Sequence, residues 1–293
     1  MKITKAVIAT AGWSTRFLPA VKSYAKHLVP IWDKPQIQYV IEELVGAGIT
    51  QICLVHRHGE KTLKQYFQYD KELEIYLKDT GKQSRLDSLH QIWQKVEKFK
   101  FIPQPRHLPY GNGSPIIAAK SFIGSDPFVY LWGDDLTIES KPGHFLSQMI
   151  STFIKYQPAS VLAVQQVTPK EMTKLGSMIY ADNPKYPNQI IGMVEKPPLG
   201  KQPSLMGQGG RFVVSPKYIK TLQNQAISKG ELWFTNASNT LAKADIVLTE
   251  KYQDHQAFWT TTGDPLNWLK TNLLFVRQNP EVYPQIKEFF KNL

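Results

Sequence analysis

A short stretch of small and basic residues near the N-terminus has the composition of a phosphate-binding loop. Residues 11–16 read AGWSTR and follow residues 5–9, KAVIA, a run typical of a buried strand. A loop of small residues at the carboxyl end of a strand can direct its backbone N–H groups at a phosphate. Arg16 and, ten residues later, Lys26 add positive side chains. The stretch predicts an anion-binding site, and the alternative is an ordinary turn between a strand and a helix.

Two further clusters follow predicted strands. Asp134 and Asp135 come after the apolar residues 128–132, and an acidic residue at the carboxyl end of a buried parallel strand faces the ligand crevice of such folds. The alternative is a helix cap or a turn. Residues 110–115 form a second loop of small residues that opens a helix. The spacing of the first loop matches neither a P-loop nor the three-glycine dinucleotide fingerprint, so both classes of site are excluded.

Alternating strands and helices position these residues in the first half of the chain. We predict strands at 6–10, 51–55, 99–103 and 128–132, and apolar residues at three-to-four spacing predict a helix at 35–45. A second helix is predicted at 62–67, followed by a polar helical stretch at 73–98 with a break near Gly81. Asp33 followed by Pro35 is a helix-start signal, and Gly46 or Gly48 would end that helix. This alternation is typical of βαβ units and a mostly parallel sheet.

The second half contains more proline, glycine and paired strands. We predict strands at 161–166 and 210–214, a hairpin of 177–181 with 189–194, and a helix from Pro265 to about Gln278. Residues 282–293 form either a packing helix or a subunit contact.

Composition excludes several classes of protein. The chain has 293 residues, 42% of them hydrophobic, and no apolar run reaches the roughly 18–20 residues that a membrane span needs. The single cysteine, Cys53, excludes an intrachain disulfide, and we expect a cytoplasmic location. The net charge is +11, but the basic residues are scattered and no nucleic-acid recognition motif occurs. We therefore expect no nucleic-acid and no membrane partner, and small-molecule substrates that include a polyphosphate.

Residues 11–40 resemble the signature of the sugar-1-phosphate nucleotidylyltransferases. That family carries Gly-x-Gly-Thr-Arg followed by Pro-Lys, and the segments LPAVK at 18–22 and DKPQIQYV at 33–40 are most similar to the bacterial members that use UTP and glucose 1-phosphate. The resemblance extends, with gaps, to the residues after Gly263. It implies an α/β fold: a Rossmann-like, mostly parallel sheet flanked by helices, with inserted sugar-side β-hairpins and a C-terminal helical segment. It also implies a single domain, with a nucleotide-binding half at about 1–135, a sugar-binding half at about 136–264 and C-terminal helices at about 265–293.

The same resemblance implies a reaction and assigns residues to it. An oxygen of glucose 1-phosphate attacks the α-phosphorus of UTP and gives UDP-glucose and pyrophosphate, with Mg²⁺ as cofactor. Arg16 and Lys26 would be catalytic, and Asp134 would hold the metal. The implied nucleotide-binding residues are Ala11, Gly12, Trp13, Ser14, Thr15, Arg106 and Gly111. The implied sugar-phosphate-binding residues are Asp135, Gly176, Glu195, Lys196 and Gly210. Members of the family usually form homo-oligomers, which we expect here.

On the nucleotide side, the chain departs from the family pattern at three positions. Ser14 stands where the family has glycine, and His27 stands where it has an acidic residue. Arg106 aligns with the glutamine that reads uracil, and a guanidinium donates hydrogen bonds but accepts none. Gln104 is the alternative residue for contact with the base, and another nucleotide such as dTTP is the alternative substrate.

On the metal side, Thr261 stands at the second ligand position, where the family has aspartate. A neutral hydroxyl is a poorer Mg²⁺ ligand than a carboxylate, and Asp135 or Asp264 is the alternative. The family's Leu-Thr-Asp reads Phe-Thr-Asn here and ends at Asn236. These changes fit either a divergent enzyme or a catalytically weak paralogue that binds nucleotide sugar in a regulatory role.

Overall fold

A nine-stranded sheet runs through the residues that the computed structural model describes, which are 1–90, 95–253 and 257–292. The strands are β1 Lys5–Thr10, β2 Pro30–Ile31, β3 Lys34–Pro35, β4 Gln51–His56, β5 Lys98–Pro103, β6 Phe128–Trp132, β7 Asp135–Glu139, β8 Ser160–Gln166, β9 Gly176–Tyr180, β10 Gln189–Glu195, β11 Met206–Val214, β12 Val247–Lys251 and β13 Ala257–Thr261. The helices are α1 Gln36–Gly46, α2 Thr62–Tyr66, α3 Lys71–Asp79, α4 Gln83–His90, α5 Ser114–Ala118, α6 Lys120–Ile123, α7 His144–Tyr156, α8 Pro169–Met172, α9 Lys217–Gln223, α10 Phe234–Ala244, α11 Pro265–Arg277 and α12 Tyr283–Lys291.

The strand order across the large sheet is β5-β4-β1-β6-β11-β8-β12-β10-β9. The strands β5, β4, β1 and β6 are parallel, whereas β11 is antiparallel to both of its neighbours. The β9–β10 hairpin continues the same sheet, because β10 also pairs antiparallel with β12. The α/β class is confirmed, and the sheet is mixed rather than mostly parallel. Two small sheets, β2 with β3 and β7 with β13, lie beside it.

Helices cover both faces of the sheet, which explains why its central strands are apolar throughout. Ala6 and Ile8 of β1 pack in one hydrophobic cluster with α1 and α7, while Val7 packs in a second cluster with α5 and α10. Successive side chains of a strand point to opposite faces, so a strand that is buried on both faces loses the polar alternation. The apolar strands β4, β1 and β6 were predictable for this reason, whereas the edge strand β5 alternates lysine with phenylalanine.

Most predicted elements agree with the observed ones to within a few residues. The predicted helical stretch 73–98 is interrupted as expected, by Gly81 between α3 and α4, but it does not reach Lys98, where β5 begins. Residues 91–94 of that prediction lie outside the described residues. Strands of both predicted halves share the large sheet, and the three-part division of the domain stays a prediction.

The start of α1 differs from the sequence-based prediction. Asp33 does not cap the helix, because the pairing of β2 with β3 keeps the backbone extended through Pro35, and α1 begins at Gln36. Asp33 instead accepts a hydrogen bond from the Tyr39 hydroxyl at 2.7 Å. The helix ends at Gly46, as predicted, and Gly48 takes a positive φ of 85°.

A buried ion pair links the two predicted halves. The Arg211 guanidinium of β11 donates two hydrogen bonds of 2.8 Å to the Glu43 carboxylate of α1. Arg211 is fully buried, and its Nη2 also donates to the backbone oxygen of Asp135 at 2.8 Å. The position of the acidic segment 134–135 thus depends on residues from two distant parts of the chain.

Candidate active site

The predicted phosphate-binding loop leaves β1 at the edge where the parallel strands end. Ser14 takes a left-handed conformation with φ of 55°, which glycine adopts with less strain than any residue that has a Cβ. A 3₁₀ turn of Thr15–Phe17 follows it. Because β1 and β6 are parallel neighbours, this loop lies beside the segment that follows β6.

That neighbouring segment carries Asp134, which pairs with Lys26. The Lys26 Nζ lies 2.5 Å from the Asp134 Oδ2. Burial alone would raise the pKa of Asp134, but the Lys26 ammonium outweighs burial and holds that pKa at about 2. Asp134 is therefore a carboxylate across the physiological pH range, and the predicted catalytic lysine and metal ligand are in direct contact.

His27 lies under the same segment as a neutral, buried side chain. Burial, followed by the nearby Lys26 charge, lowers the pKa of His27 to about 3. Its Nδ1 has no hydrogen-bond partner among the described residues. A Cβ built on Gly133 would lie 3.1 Å from the His27 ring, so the imidazole fills the space beneath Gly133.

Gln36 binds the residues next to Asp134, and the sequence did not predict this role for Gln36. Its Nε2 donates to the Gly133 oxygen at 2.5 Å, and its Oε1 accepts from the Thr262 hydroxyl at 2.6 Å. The Thr262 backbone N–H donates to the backbone oxygen of Asp134 at 2.8 Å. A glutamine in the first turn of a helix is ordinary in sequence, so only its burial reveals this role.

Three predicted positions converge around Gly263. A Cβ built on Gly263 would lie 3.4 Å from the Thr261 hydroxyl, 3.5 Å from the Arg16 Nη1 and 3.8 Å from the Asp134 Oδ2. Thr261 comes from β13, where it lies opposite Asp135 in the antiparallel pairing with β7. A cation, a carboxylate and a hydroxyl from distant parts of the chain therefore face one small region.

The side chains around Asp134 suit a metal ion that takes most of its ligands from water and from substrate phosphates. Within the described ranges, no group of three or more His, Cys, Asp or Glu side chains could hold a metal ion. Mg²⁺ is commonly bound by one or two carboxylates, with water and substrate phosphates completing its octahedron. Asp134 supplies one carboxylate, and the Thr261 hydroxyl donates to the Asp134 backbone oxygen at 3.4 Å.

The two alternative carboxylates are placed differently. Asp264 caps α11, since its carboxylate accepts from the Asn267 backbone and side chain at 3.0 and 2.7 Å. Asp135 is 3% exposed, behind Gly210, where an added Cβ would clash with its carboxylate. Burial and then the Asp134 charge raise the pKa of Asp135 to about 7. The Asp135 side chain is therefore buried, and the sugar-phosphate role implied for it stays a prediction.

A cavity of about 250 Å³ opens beside the loop, at the edge of the sheet where β1, β5 and β6 end. It is lined by four predicted residues, Ala11, Gly12, Gly111 and Asp134, together with Ala9, Gln104, Tyr110, Asn112, Pro115, Trp132, Glu231 and Trp233. Gln104 follows β5 and reaches the cavity, whereas Arg106 is exposed two residues later. Of the two residues considered for contact with the base, Gln104 lines the cavity and Arg106 does not.

The second glycine loop is fixed by the segment that carries Trp233. Gly111 has a φ of 121°, and an added Cβ would lie 2.4 Å from the Leu232 oxygen. The Asn112 Oδ1 accepts from the Phe234 backbone N–H at 2.7 Å. Glu231 and Trp233 thus reach the cavity because their segment docks on this loop, which no local sequence pattern indicated.

The predicted sugar side adjoins the cavity through the same tryptophan. The Lys196 ammonium lies 5.2 Å from the centre of the Trp233 ring, and Lys196 has a positive φ of 47°. The Glu195 Oε2 accepts from the Thr235 hydroxyl at 2.9 Å. An added Cβ on Gly176 would lie 3.5 Å from that same oxygen, so Glu195 and Gly176 are brought together.

The family model for nucleotidyl transferases matches residues 5–276. The chain belongs to this family. It is 34% identical, over its full length, to the UTP–glucose-1-phosphate uridylyltransferase of Bacillus subtilis (strain 168), of which it covers 97%. It is 32% identical, again over its full length, to the protein of that name from Streptococcus pneumoniae serotype 4, of which it covers 96%.

Solved structures agree with this family membership. A UTP-bound UGPase from Acinetobacter baumannii is 33% identical and has a TM-score of 0.84, with all of both chains covered. A UDP-glucose pyrophosphorylase complexed with UDP-glucose is 28% identical and has a TM-score of 0.83, with 95% of this chain and 100% of the other covered. The resemblance of residues 11–40 to nucleotidylyltransferases is confirmed. No helix in the described part of the chain is long and apolar enough to cross a membrane.

Proposed function

We propose that this nucleotidyl transferase joins UTP and glucose 1-phosphate to give UDP-glucose and pyrophosphate. One observation carries the proposal: Arg16, Lys26 and Asp134 meet at the loop after β1, next to a cavity that Gln104 and Gly111 line. Relatives named for this activity match the whole chain at 32–34% identity.

Catalysis in this site depends on position and charge. An oxygen of the sugar phosphate attacks the α-phosphorus of UTP, the bond between the α-phosphorus and its bridging oxygen breaks, and pyrophosphate leaves. No side chain needs to act as a nucleophile. Arg16 and Lys26 neutralise the charge of the phosphates and hold them in line for attack, which is the main contribution that a protein makes to phosphoryl transfer. His27, neutral beside them, adds no charge.

Gln104 supports uracil as the base. A side-chain amide donates from nitrogen and accepts at oxygen, so it can pair with a uracil oxygen and with N3–H together. Thymine presents the same edge, and dTTP is therefore the competing nucleotide. The assignment of Arg106 as the base reader is not proposed, because that side chain is exposed outside the cavity.

Mg²⁺ is the cofactor that we propose. Asp134 would hold it, together with substrate phosphates, and the Thr261 hydroxyl donates to the backbone oxygen of the same residue. When bound, Mg²⁺ supplies positive charge at the phosphates that react. On the sugar side, Glu195 would accept hydrogen bonds from hexose hydroxyls, and Lys196, held over Trp233, would contact the sugar phosphate.

Release of pyrophosphate by the purified protein tests the proposal. The protein is mixed with glucose 1-phosphate, Mg²⁺ and one of UTP, dTTP, ATP, CTP or GTP. We expect strong release with UTP. Strong release with another nucleotide would keep the mechanism and change the substrate. A protein that binds UDP-glucose and releases no pyrophosphate would be a silent paralogue, and Thr261→Asp would then be expected to raise turnover. A cytoplasmic location and a homo-oligomeric state stay predictions.

A further inference from the structure

Arg57 lies beside the phosphate-binding loop and has no role in the site described above. It follows β4, and β4 is the parallel neighbour of β1, with Thr10 opposite His56 at their carboxyl ends. Residues that follow parallel neighbours emerge at the same edge of a sheet. Arg57 therefore flanks the loop from the β4 side, while Asp134 flanks it from the β6 side.

The guanidinium of Arg57 stacks on the loop itself. Its Cζ lies 4.6 Å from the centre of the Trp13 ring, within the range of a cation–π contact. Trp13 is 61% exposed, so this ring is not part of the core. Stacking leaves the guanidinium edge, which carries the hydrogen-bond donors, available to a planar or tetrahedral anion.

The charge of Arg57 is not matched by a neighbouring acid. In the part of the chain that the structure describes, no carboxylate forms an ion pair with it. Glu60, which is nearby, instead caps α2 through the backbone N–H of Thr62 and its hydroxyl. An arginine that is stacked on an aromatic ring and lacks an acidic partner is available for an anionic ligand.

The position of Arg57 suits the end of a nucleotide rather than its base. A small crevice is lined by Arg57, Lys26, Trp13, Ser14 and the α2-capping Glu60, and it shares Gly12 with the 250 Å³ cavity. A molecule with its base in the cavity that extends across Gly12 would place its polyphosphate near Lys26 and Arg57. We propose that Arg57, presented by Trp13, binds the terminal phosphates of the triphosphate, and therefore the pyrophosphate product.

This inference rests on the proposed function and predicts a selective change in binding. UTP and pyrophosphate contain the terminal phosphates, whereas UDP-glucose does not. Loss of one charge-assisted contact is expected to raise the Kd of Arg57→Gln for UTP and for pyrophosphate about tenfold. The Kd for UDP-glucose is expected to stay within about twofold of the wild-type value.

Calorimetry on the full chain measures the three Kd values directly, without turnover. Trp13→Leu should also weaken the binding of UTP and of pyrophosphate. Trp13→Phe should bind both about as well as the wild type, since it keeps an aromatic face. Lys185→Gln is the matched control, because Lys185 stacks on Tyr186 at 5.2 Å in the β9–β10 turn and carries the same charge. Thermal unfolding confirms that each variant is folded.

The outcomes separate the inference from the function on which it rests. Unchanged UTP and pyrophosphate binding in Arg57→Gln, or an equal loss of UDP-glucose binding, would overturn the role of Arg57 while the proposed function stands. A wild-type protein that binds neither UTP nor UDP-glucose would overturn both. A loss of binding in Lys185→Gln equal to that in Arg57→Gln would show a general charge effect, which also overturns the specific role.

Discussion

At the scale of single residues, burial and near neighbours set the charge of the groups around Asp134. Asp134 and His27 are separated by more than one hundred positions in sequence, yet both lie next to the Lys26 ammonium. That ammonium lowers both pKa values: it favours the charged carboxylate and disfavours the charged imidazole. The result is one carboxylate anion, paired with the Lys26 ammonium, and one neutral imidazole ring.

The low pKa of His27 predicts an acid-sensitive fold. The ring stays neutral in the folded protein down to a pH of about 3, whereas in the unfolded chain it takes up a proton near its usual value of 6.5. The unfolded state therefore binds more protons between these values, and stability falls as the pH drops below 6.5. From pH 7 to pH 5 this side chain should remove about 2 kcal/mol from the free energy of unfolding.

Urea titrations at pH 7 and pH 5 measure this effect in the wild type and in His27→Leu. The variant should lose less stability than the wild type between the two pH values, by about that 2 kcal/mol. An identical pH dependence in the two proteins would contradict a neutral, buried His27.

Gln104 and Arg106 offer a second test at the residue scale. Gln104→Ala should lower kcat/KM for UTP by about tenfold or more, because each good base contact contributes roughly 1–3 kcal/mol. Arg106→Ala is the matched control and should change kcat/KM for UTP by no more than about twofold, as expected for a surface substitution. Steady-state pyrophosphate release measures both, and the reverse ranking would restore Arg106 as the base reader.

At the scale of elements, the site is built where parallel strands end. The first loop follows β1, Gln104 follows β5, Asp134 follows β6 and Arg57 follows β4. The segments that follow parallel strands emerge at the same edge of a sheet. Residues from four segments that are far apart in the chain therefore lie at one edge. The orientation of these elements depends in turn on close helix contacts, such as the one between the end of α1 and the residues before α7.

Substitution of Gly46 tests the contact between α1 and the residues before α7. A Cβ on Gly46 would lie 2.0 Å from the Pro142 oxygen, so Gly46→Ala must separate α1 from the residues before α7. Overpacking of this kind costs about 1–3 kcal/mol, although alanine is the better helix former. Gly192→Ala is the control, because its Cβ would find only ordinary contacts, the nearest at 3.4 Å. Urea unfolding of Gly46→Ala with no loss of stability would contradict this close packing.

At the scale of the whole molecule, the Arg211–Glu43 pair joins the two halves behind the site. It links β11 to α1 and also binds the backbone oxygen of Asp135. The segment that carries Asp134 is therefore held by the first half through Gln36 and by the second through Arg211 and Thr262. Changes far from the cavity can reach catalysis through this arrangement.

Removal of one member of the pair should be far more harmful than removal of both. Arg211→Met leaves the Glu43 carboxylate buried and unpaired, which should cost about 3–5 kcal/mol. Adding Glu43→Leu should recover most of that loss, since a buried ion pair and a well-packed apolar pair are of similar stability. Urea unfolding of the single and double variants measures this, and equal losses in the two would contradict the mechanism.

The sequence by itself determined the local features of this protein. The apolar runs of β1, β4 and β6, the end of α1 at Gly46, the loop at 11–16 and the acidic pair at 134–135 are all set by residues close together in the chain. Their backbone conformations depend on short-range preferences and on a periodicity that a single segment displays. The family signature at 11–40 is local in the same way, and it indicated the nucleotidyl transferase family correctly.

Only the tertiary structure decided which side chains meet and which are buried. Gln104 reaches the cavity and Arg106 does not, Gln36 holds Gly133, Asp135 is buried behind Gly210, and β11 enters the sheet antiparallel to both neighbours. Each of these depends on contacts between segments far apart in the chain, whose burial and pairing no local pattern encodes. Secondary-structure elements were predictable because they depend on local sequence. The site was not, because its residues come together only through contacts between distant segments.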